Sequence, residues 1–176
     1  MFISYYYYQY NFVFEDKKIV VLENRNIVSV DNKEITYPNL LIVPSLDISA
    51  RIYISNSLGI LNEKKGVVMY DNGANPLTNR IGENIIIAGH RFQYLPPNTF
   101  TFFNLINIGI GKDIYIRYMN KMYLYTVEKT EIVPSTESYI LSEKYFSNTL
   151  ILYTCTPLWS DTDRFVVISK YINKST

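Results

Sequence analysis

Short apolar runs alternate with polar turns along most of this chain. Runs at 40–43, 85–88 and 150–154 are rich in Leu, Ile and Tyr, and each ends at a proline, a glycine or a polar turn. Short runs of this kind, bounded by turn residues, are typical of buried β-strands. In 113–133, Ile114 and Ile116 alternate with polar or aromatic residues before a turn at Asn120 and Lys121. This period of two predicts a hairpin with one buried face.

Helical patterns are few and short. The segment 56–66 predicts one short helix that Gly66 stops, and apolar spacing within 100–108 predicts a second. One further turn of helix is expected near 142–146. Three strand-like runs between 17 and 37, separated by Asn and Asp, predict a small β meander.

Composition supports a mostly β domain and excludes several classes of function. The chain has 176 residues, 48% of them hydrophobic, which suits one domain with a substantial core. It has 17 tyrosines and only seven glycines and seven prolines, a composition that favours strands. The net charge of +1 gives no global field for nucleic acid, which is not an expected partner. One cysteine and one histidine exclude an internal disulfide and a zinc site of Cys and His ligands, so no metal or cofactor is predicted.

The single cysteine lies where an apolar run meets a turn. Cys155 follows the run that ends in Tyr153 and Thr154, and Thr-Pro comes next. A thiol at a strand end can be solvated on one side and held rigidly on the other, as a nucleophile requires. Arg164, nine positions later, opens another strand-like run, so pairing of the two runs would bring its guanidinium towards the sulfur. His90 follows a third run and is the only histidine available for proton transfer.

These residues carry a family resemblance. The A-G-H-R segment at 88–91, the L-Y-T-C segment at 152–155 and the arginine nine positions after the cysteine resemble the three signatures of the sortases, cysteine transpeptidases of bacterial cell surfaces. Motif wording is most similar to the pilin-polymerising class C, although the Asp-Pro-aromatic lid tripeptide of that class is absent. The resemblance implies a closed or nearly closed β-barrel of about eight strands with one to three short helices. It covers 39–176 as a catalytic domain, which leaves 1–38 as an N-terminal extension or stalk.

The resemblance also implies an activity. Cys155 would attack an LPxTG-like sorting signal and form a thioester, His90 would move protons, and Arg164 would hold substrate and oxyanion. Expected partners are surface proteins or pilins with a C-terminal sorting signal, and an amine acceptor such as a pilin lysine or a peptidoglycan cross-bridge. Without an amine, water would hydrolyse the thioester as a side reaction, and the protein would then behave as a thiol protease. The implied location is the outer face of the cell membrane.

The resemblance further implies a membrane anchor in the full-length protein. No apolar run reaches the roughly 18 residues that a spanning helix needs, so the anchor is expected outside this sequence.

Three further residues are candidates for substrate binding. Thr154 precedes the nucleophile, where it either helps hydrogen bonding in the site or only fills space. Trp159 and Tyr94 lie on predicted loops and would line a peptide groove, although exposed loop aromatics are common. Asp161 and Asp163 either orient Arg164 or are simply solvated, and such scattered acids do not indicate a calcium site.

Each of the three catalytic candidates also has a structural interpretation. A lone cysteine is commonly buried and inert, a histidine beside glycine is often only structural, and an arginine at a strand end is commonly solvated. A non-catalytic sortase-like β-barrel that binds peptide or cell-wall material therefore remains the alternative from a different functional class.

Overall fold

The computed structural model describes part of the chain, which falls into two units. The units are Met1–Thr36 and Tyr37–Thr176. In the first unit, β1 (Phe12–Glu15) and β2 (Lys18–Val21) form an antiparallel hairpin. The predicted strand-like runs between 22 and 37 lie outside the described residues, and the boundary predicted at residue 38 stays a prediction. The described residues are 12–15, 18–21, 38–77, 84–96, 98–136 and 148–172.

The second unit is built on a closed barrel of eight strands, which confirms the predicted fold class. The strands are β3 (Leu40–Val43), β4 (Ile48–Ser55), β5 (Val67–Tyr70), β6 (Asn84–Gly89), β7 (Asp113–Tyr118), β8 (Lys121–Pro134), β9 (Thr149–Thr156) and β10 (Asp163–Tyr171). Around the barrel their order is β10-β8-β7-β3-β4-β5-β6-β9. Neighbours are antiparallel except for β4–β5 and β6–β9, which are parallel.

The helices within the described residues are three short 3₁₀ segments, Pro44–Leu46, Leu58–Asn62 and Leu105–Asn107. The second lies inside the segment 56–66 where a helix was predicted. The helix predicted over 100–108 is reduced to a single turn, because Phe102 donates its backbone N–H to the carbonyl of His90 at 2.9 Å instead of joining a helix. None of these helices is long and apolar enough to cross a membrane. The turn expected near 142–146 lies outside the described residues.

The predicted hairpin is present, but its turn is shifted by one residue. Tyr118 pairs with Lys121, so the turn residues are Met119 and Asn120, with φ of 47° and 62°. Positive φ at both central positions is typical of the tight turns that match the twist of paired strands. The alternation predicted for β7 is observed, since Ile114 and Ile116 are fully buried.

Apolar side chains of the strands pack into two buried clusters, one on each face of the sheet. The main cluster includes residues from all eight barrel strands and fills the interior. A second cluster lies on the opposite face of β5, β6, β8, β9 and β10 and includes Leu61 of the 3₁₀ helix Leu58–Asn62. Because successive strand residues face opposite sides, β9 sends Leu150 and Leu152 inward and Ile151 and Tyr153 into this outer cluster. Burial on both faces explains why β9 is an almost continuous apolar run.

Candidate active site

The three predicted catalytic residues lie where three neighbouring strands end or begin. β6 and β9 are parallel and in register up to Ala88 and Tyr153, so their carboxyl ends share one edge of the barrel. His90 directly follows β6, and Cys155 is the penultimate residue of β9. Arg164, near the start of β10, is the direct cross-strand partner of Cys155. Directly opposed residues on paired strands project from the same face, so Cys155 and Arg164 share the outer face of the barrel with Tyr153.

A pocket of about 290 Å³ opens at this edge and contains the thiol. Cys155 is half-buried and lines this pocket, while the preceding residues of its strand are buried. Of the predicted site residues, His90, Cys155 and Trp159 line the pocket. Its lining is His90, Arg91, Phe92, Cys155, Pro157, Leu158, Trp159, Ser160 and Asp161.

The imidazole of His90 is held by the 3₁₀ helix Leu58–Asn62. Its Nε2 lies 3.0 Å from Oδ1 of Asn62. Partial burial lowers the pKa of His90 below its ordinary value, and a hydrogen bond to the backbone of Leu61 opposes that change. The neutral ring is therefore favoured near neutral pH. Sequence reasoning missed Asn62, because a lone asparagine at the end of a short helix carries no distinctive signal.

Arg164 is oriented by backbone carbonyls. Its Nη1 donates to the carbonyl oxygen of Asp161 at 2.9 Å and to that of Asp163 at 3.0 Å. The two aspartates thus do orient the guanidinium, but through their main chains. Burial raises the pKa of Tyr153 to about 12, the positive charge of Arg164 opposes this rise, and Cys155 adds to it. Both candidate groups therefore lie within electrostatic range of the Tyr153 hydroxyl.

Two side-chain hydrogen bonds fix the strand ends beneath the pocket. The hydroxyl of Thr154 is buried and donates to the carbonyl of Gly89 at 2.8 Å, which ties β9 to the residue before His90. Arg91 donates from Nη1 to Oγ1 of Thr156 at 2.8 Å. Thr154 thus lies in the framework of the site and is not among the residues that line the pocket. Arg91 belongs to the A-G-H-R segment, yet the segment by itself gave it no role.

The two loop aromatics have different surroundings. Trp159 is 76% exposed and lines the pocket, and its ring centroid lies 4.1 Å from that of Phe92. Tyr94 is not part of the pocket lining; its ring makes an edge contact with Phe100 at 5.1 Å and has Lys65 Nζ 5.3 Å from its centroid. The geometry therefore places one of the two predicted groove aromatics beside the thiol.

The pocket and its neighbouring strand present three reactive groups of different chemistry. A thiol and an imidazole line the pocket, and a guanidinium lies on the strand paired with that of the thiol. No cluster of His, Cys, Asp and Glu suited to a metal ion occurs among the residues that the structure describes.

Solved structures share this fold at low sequence identity. Sortase C1 of GBS pilus island 1 has a TM-score of 0.64 and 22% identity, covering 78% of this chain and 66% of its own. Sortase C of Streptococcus pneumoniae has a TM-score of 0.65 and 22% identity, covering 76% of this chain and 65% of its own. Sortase A from Corynebacterium diphtheriae has a TM-score of 0.64 and 23% identity, covering 77% of this chain and 60% of its own. The chain thus corresponds to somewhat less than two thirds of each of these proteins.

The sequence itself shows the family, through a family model and not through a curated relative. No curated protein sequence matches the chain. The sequence model of the sortase domain, however, matches residues 41–172, which include all of the barrel strands except Leu40 and all three candidate catalytic residues. Family membership therefore does not depend on the structural likeness alone, and the chain belongs to the sortase family.

Proposed function

We propose that this protein is a cysteine transpeptidase that cleaves an LPxTG-like sorting signal and transfers the protein to an amine. One observation carries the proposal: Cys155 and His90 line the same pocket, and Arg164 is the cross-strand partner of Cys155. The fold thus brings His90 to the same edge of the barrel as Cys155 and Arg164, which follow it by 65 and 74 positions. A nucleophile, a proton carrier and a fixed cation are the groups that acyl transfer through a thioester requires.

In the first half-reaction, the Cys155 thiolate attacks the scissile carbonyl. Arg164 stabilises the oxyanion: its hydrogen bonds to the main chain of Asp161 and Asp163 use Nη1 and leave Nε and Nη2 for the substrate. The His90 imidazolium donates a proton to the departing amine, and a thioester remains. An incoming amine then attacks the thioester and returns a proton to His90. The energy of the cleaved bond is kept in the thioester, so the cycle needs no nucleotide.

The proposed substrates are surface proteins or pilins with a C-terminal sorting signal. The structure of sortase C from Streptococcus pneumoniae has been related to pilin substrate specificity, which is a property of the streptococcal enzyme. For this chain we propose the outer face of the cell membrane as the location and a pilin lysine or a peptidoglycan cross-bridge as the acceptor. Trp159 and Phe92, whose rings pack against each other in a tilted arrangement at the pocket, offer an apolar surface to an extended peptide.

The decisive experiment uses a library of quenched LPxTG-like peptides, with and without hydroxylamine. We expect cleavage, a hydroxamate product when hydroxylamine is present, and an acyl adduct on Cys155 in the mass spectrum. Peptide that binds without cleavage or hydroxamate for any library member would support the non-catalytic barrel instead. In the folded protein, alkylation of Cys155 should be rapid, because the residue is half-buried and lines the pocket.

Matched variants separate chemistry from folding. Cys155→Ala should abolish cleavage and adduct formation.

Arg164→Lys should lower kcat/KM by about 10²- to 10³-fold, the usual loss when an oxyanion donor is displaced. Arg51→Lys is the control, because Arg51 is an exposed arginine of β4, and β4 pairs with β3 and β5 instead of with the strand of Cys155. Equal losses in both arginine variants would remove the special role of Arg164.

A further inference from the structure

The contact between His90 and Asn62 links the amide to one nitrogen of the ring. Nε2 lies 3.0 Å from the amide oxygen of Asn62, at a distance suited to a hydrogen bond whose donor depends on the ring tautomer. With the amide oxygen towards the ring, this hydrogen bond requires a proton on Nε2, because an amide oxygen only accepts hydrogen bonds. The neutral ring then has its lone pair on Nδ1. In a neutral imidazole, the partner of one nitrogen thus selects the tautomer.

The segment that carries Asn62 is anchored to the barrel. Leu61, the preceding residue, is buried in the outer cluster with Ile86, Ala88 and Tyr153. Its carbonyl oxygen accepts a hydrogen bond from Nε2 of Gln93 at 3.0 Å. The end of the 3₁₀ helix is therefore held by both the side chain and the carbonyl of Leu61, although Asn62 itself is exposed.

We propose that Asn62 is a positioning residue that holds His90 in the Nε2–H tautomer, so that Nδ1 is the nitrogen that exchanges protons during transpeptidation. The inference rests on the proposed function, because it assigns an atom to the proton transfers of that reaction. It also gives a reason for a neutral partner: an amide directs the ring without stabilising its charged form as a carboxylate would.

The proton transfers balance on this single nitrogen. At the start, sulfur is a thiolate and both ring nitrogens are protonated. As the carbon–sulfur bond forms and the peptide carbon–nitrogen bond breaks, the Nδ1 proton goes to the leaving amine, and the ring becomes neutral. The incoming amine then forms the new carbon–nitrogen bond and gives a proton to Nδ1, and the thiolate leaves. The Nε2 proton stays on the Asn62 side throughout.

Charged or titratable side chains line the same pocket as the ring. Among the described residues they are Cys155, Asp161 and Arg91. Arg91 is bonded to Thr156, and Asp161 is exposed. The groups that hydrogen-bond to the imidazole itself are uncharged and adjacent in sequence: the side chain of Asn62 and the backbone of Leu61.

The ring can be observed without assignment, because His90 is the only histidine in the chain. Protein labelled with ¹⁵N in the histidine ring gives one pair of nitrogen signals, whose couplings report the tautomer. We expect the Nε2–H form in the wild type above the pKa of His90, and an increased share of the Nδ1–H form in Asn62→Ala. A wild-type ring in the Nδ1–H form, or an unchanged tautomer ratio in Asn62→Ala, would overturn the proposal.

Kinetics of matched variants test the consequence for catalysis. Asn62→Ala should lower kcat by about 2- to 10-fold, the effect of one hydrogen bond, with little change in KM. Asn62→Asp keeps an acceptor in place and should raise the pKa of His90, so the ring signals and the His90 limb of the pH–rate profile both move to higher pH. Asn56→Ala, an exposed asparagine earlier in the same connection, should change neither.

The two proposals fail in different ways. An altered tautomer in Asn62→Ala with an unchanged kcat would refute the role of Asn62 in catalysis. Absence of turnover in the wild type would count against the proposed function, whereas the NMR measurement would still decide the state of the ring. Thermal unfolding of each variant shows that the compared proteins are folded.

Discussion

Cys155 reaches solvent because of its position along one face of β9. Ile151 on this face is fully buried, Tyr153 is 9% exposed, and Cys155 is half-buried at the strand end. Exposure thus increases along the strand while the cross-strand pairing with Arg164 continues. A nucleophile on such a strand is held by its backbone and is still open to a substrate.

Trp159 provides a test of substrate contact at the level of one residue. Its backbone has φ of 68°, a left-handed conformation that is uncommon for a bulky residue, and its ring packs on Phe92 at the pocket. Trp159→Ala should raise KM for peptide by about 2- to 10-fold through loss of aromatic contact, with little change in stability. Steady-state kinetics of Leu95→Ala serve as the control, because Leu95 is also a highly exposed apolar residue, at 84%, and lies outside the pocket lining. An unchanged KM in Trp159→Ala would mean that the indole does not touch the substrate.

The lowered pKa of His90 predicts how stability depends on pH. The folded state binds a proton on His90 more weakly than the unfolded state does. The free energy of unfolding therefore decreases as pH falls below about 6.5. The contribution of His90 to stability is fully present above that pH and is lost as pH falls through the folded-state pKa. Urea unfolding between pH 5 and 7 should show a steeper loss for the wild type than for His90→Asn. Carboxylates titrate in both proteins and cancel in the difference, so equal slopes would contradict the lowered pKa.

At the scale of the element, the end of β6 is shaped by a missing side chain. A Cβ on Gly89 would lie 2.6 Å from Cδ2 of Phe102, a fully buried residue of the interior. The same phenylalanine donates its N–H to the carbonyl of His90. The glycine before the histidine therefore allows the segment 100–108 to pack against the strand end and to fix the backbone of His90.

Gly89→Ala tests this packing. The added methyl group should destabilise the fold by about 1 to 3 kcal/mol, the usual cost of overpacking, and should lower kcat/KM by displacing His90. Gly109→Ala is a suitable control, because its Cβ would meet Lys112 only at 3.7 Å and should change stability by less than about 0.5 kcal/mol. Chemical denaturation and peptide cleavage measure the two effects. Similar stability of both variants would show that Phe102 moves aside easily.

At the scale of the whole molecule, β9 completes the barrel. It pairs with β6 in parallel and with β10 in antiparallel orientation, so it joins the strand that precedes His90 to the strand that carries Arg164. Its inward side chains, Leu150 and Leu152, are fully buried in the interior cluster. Barrel closure and assembly of the pocket therefore depend on the same strand.

Leu152→Ala measures that dependence. Loss of the buried side chain should cost about 2 to 5 kcal/mol of unfolding free energy, because a cavity remains in the interior. Ile110→Ala, at a side chain that is 71% exposed, should stay within about 0.5 kcal/mol of the wild type. Both values come from urea unfolding. A loss below about 1 kcal/mol in Leu152→Ala would mean that the interior around β9 is loosely packed.

Sequence alone determined the strands and the chemical groups. Strand positions follow from local periodicity and turn residues, which act over a few positions, and the alternation in β7 is an example. The motifs around His90, Cys155 and Arg164 named the candidate reacting groups and predicted the family, because they are contiguous or closely spaced. The strand-end positions of Cys155 and His90 also followed from local pattern.

Tertiary structure decided the contacts that orient those groups. Asn62 meets His90 across 28 positions of sequence, and Arg91 meets Thr156 across 65. No local pattern encodes such pairs, because they depend on which strands become neighbours when the barrel closes. The segment 100–108 shows the same limit: its apolar spacing predicted a helix, but packing of Phe102 against Gly89 and His90 left a single turn. Local free energies set the elements, whereas long-range packing set the geometry on which the chemistry depends.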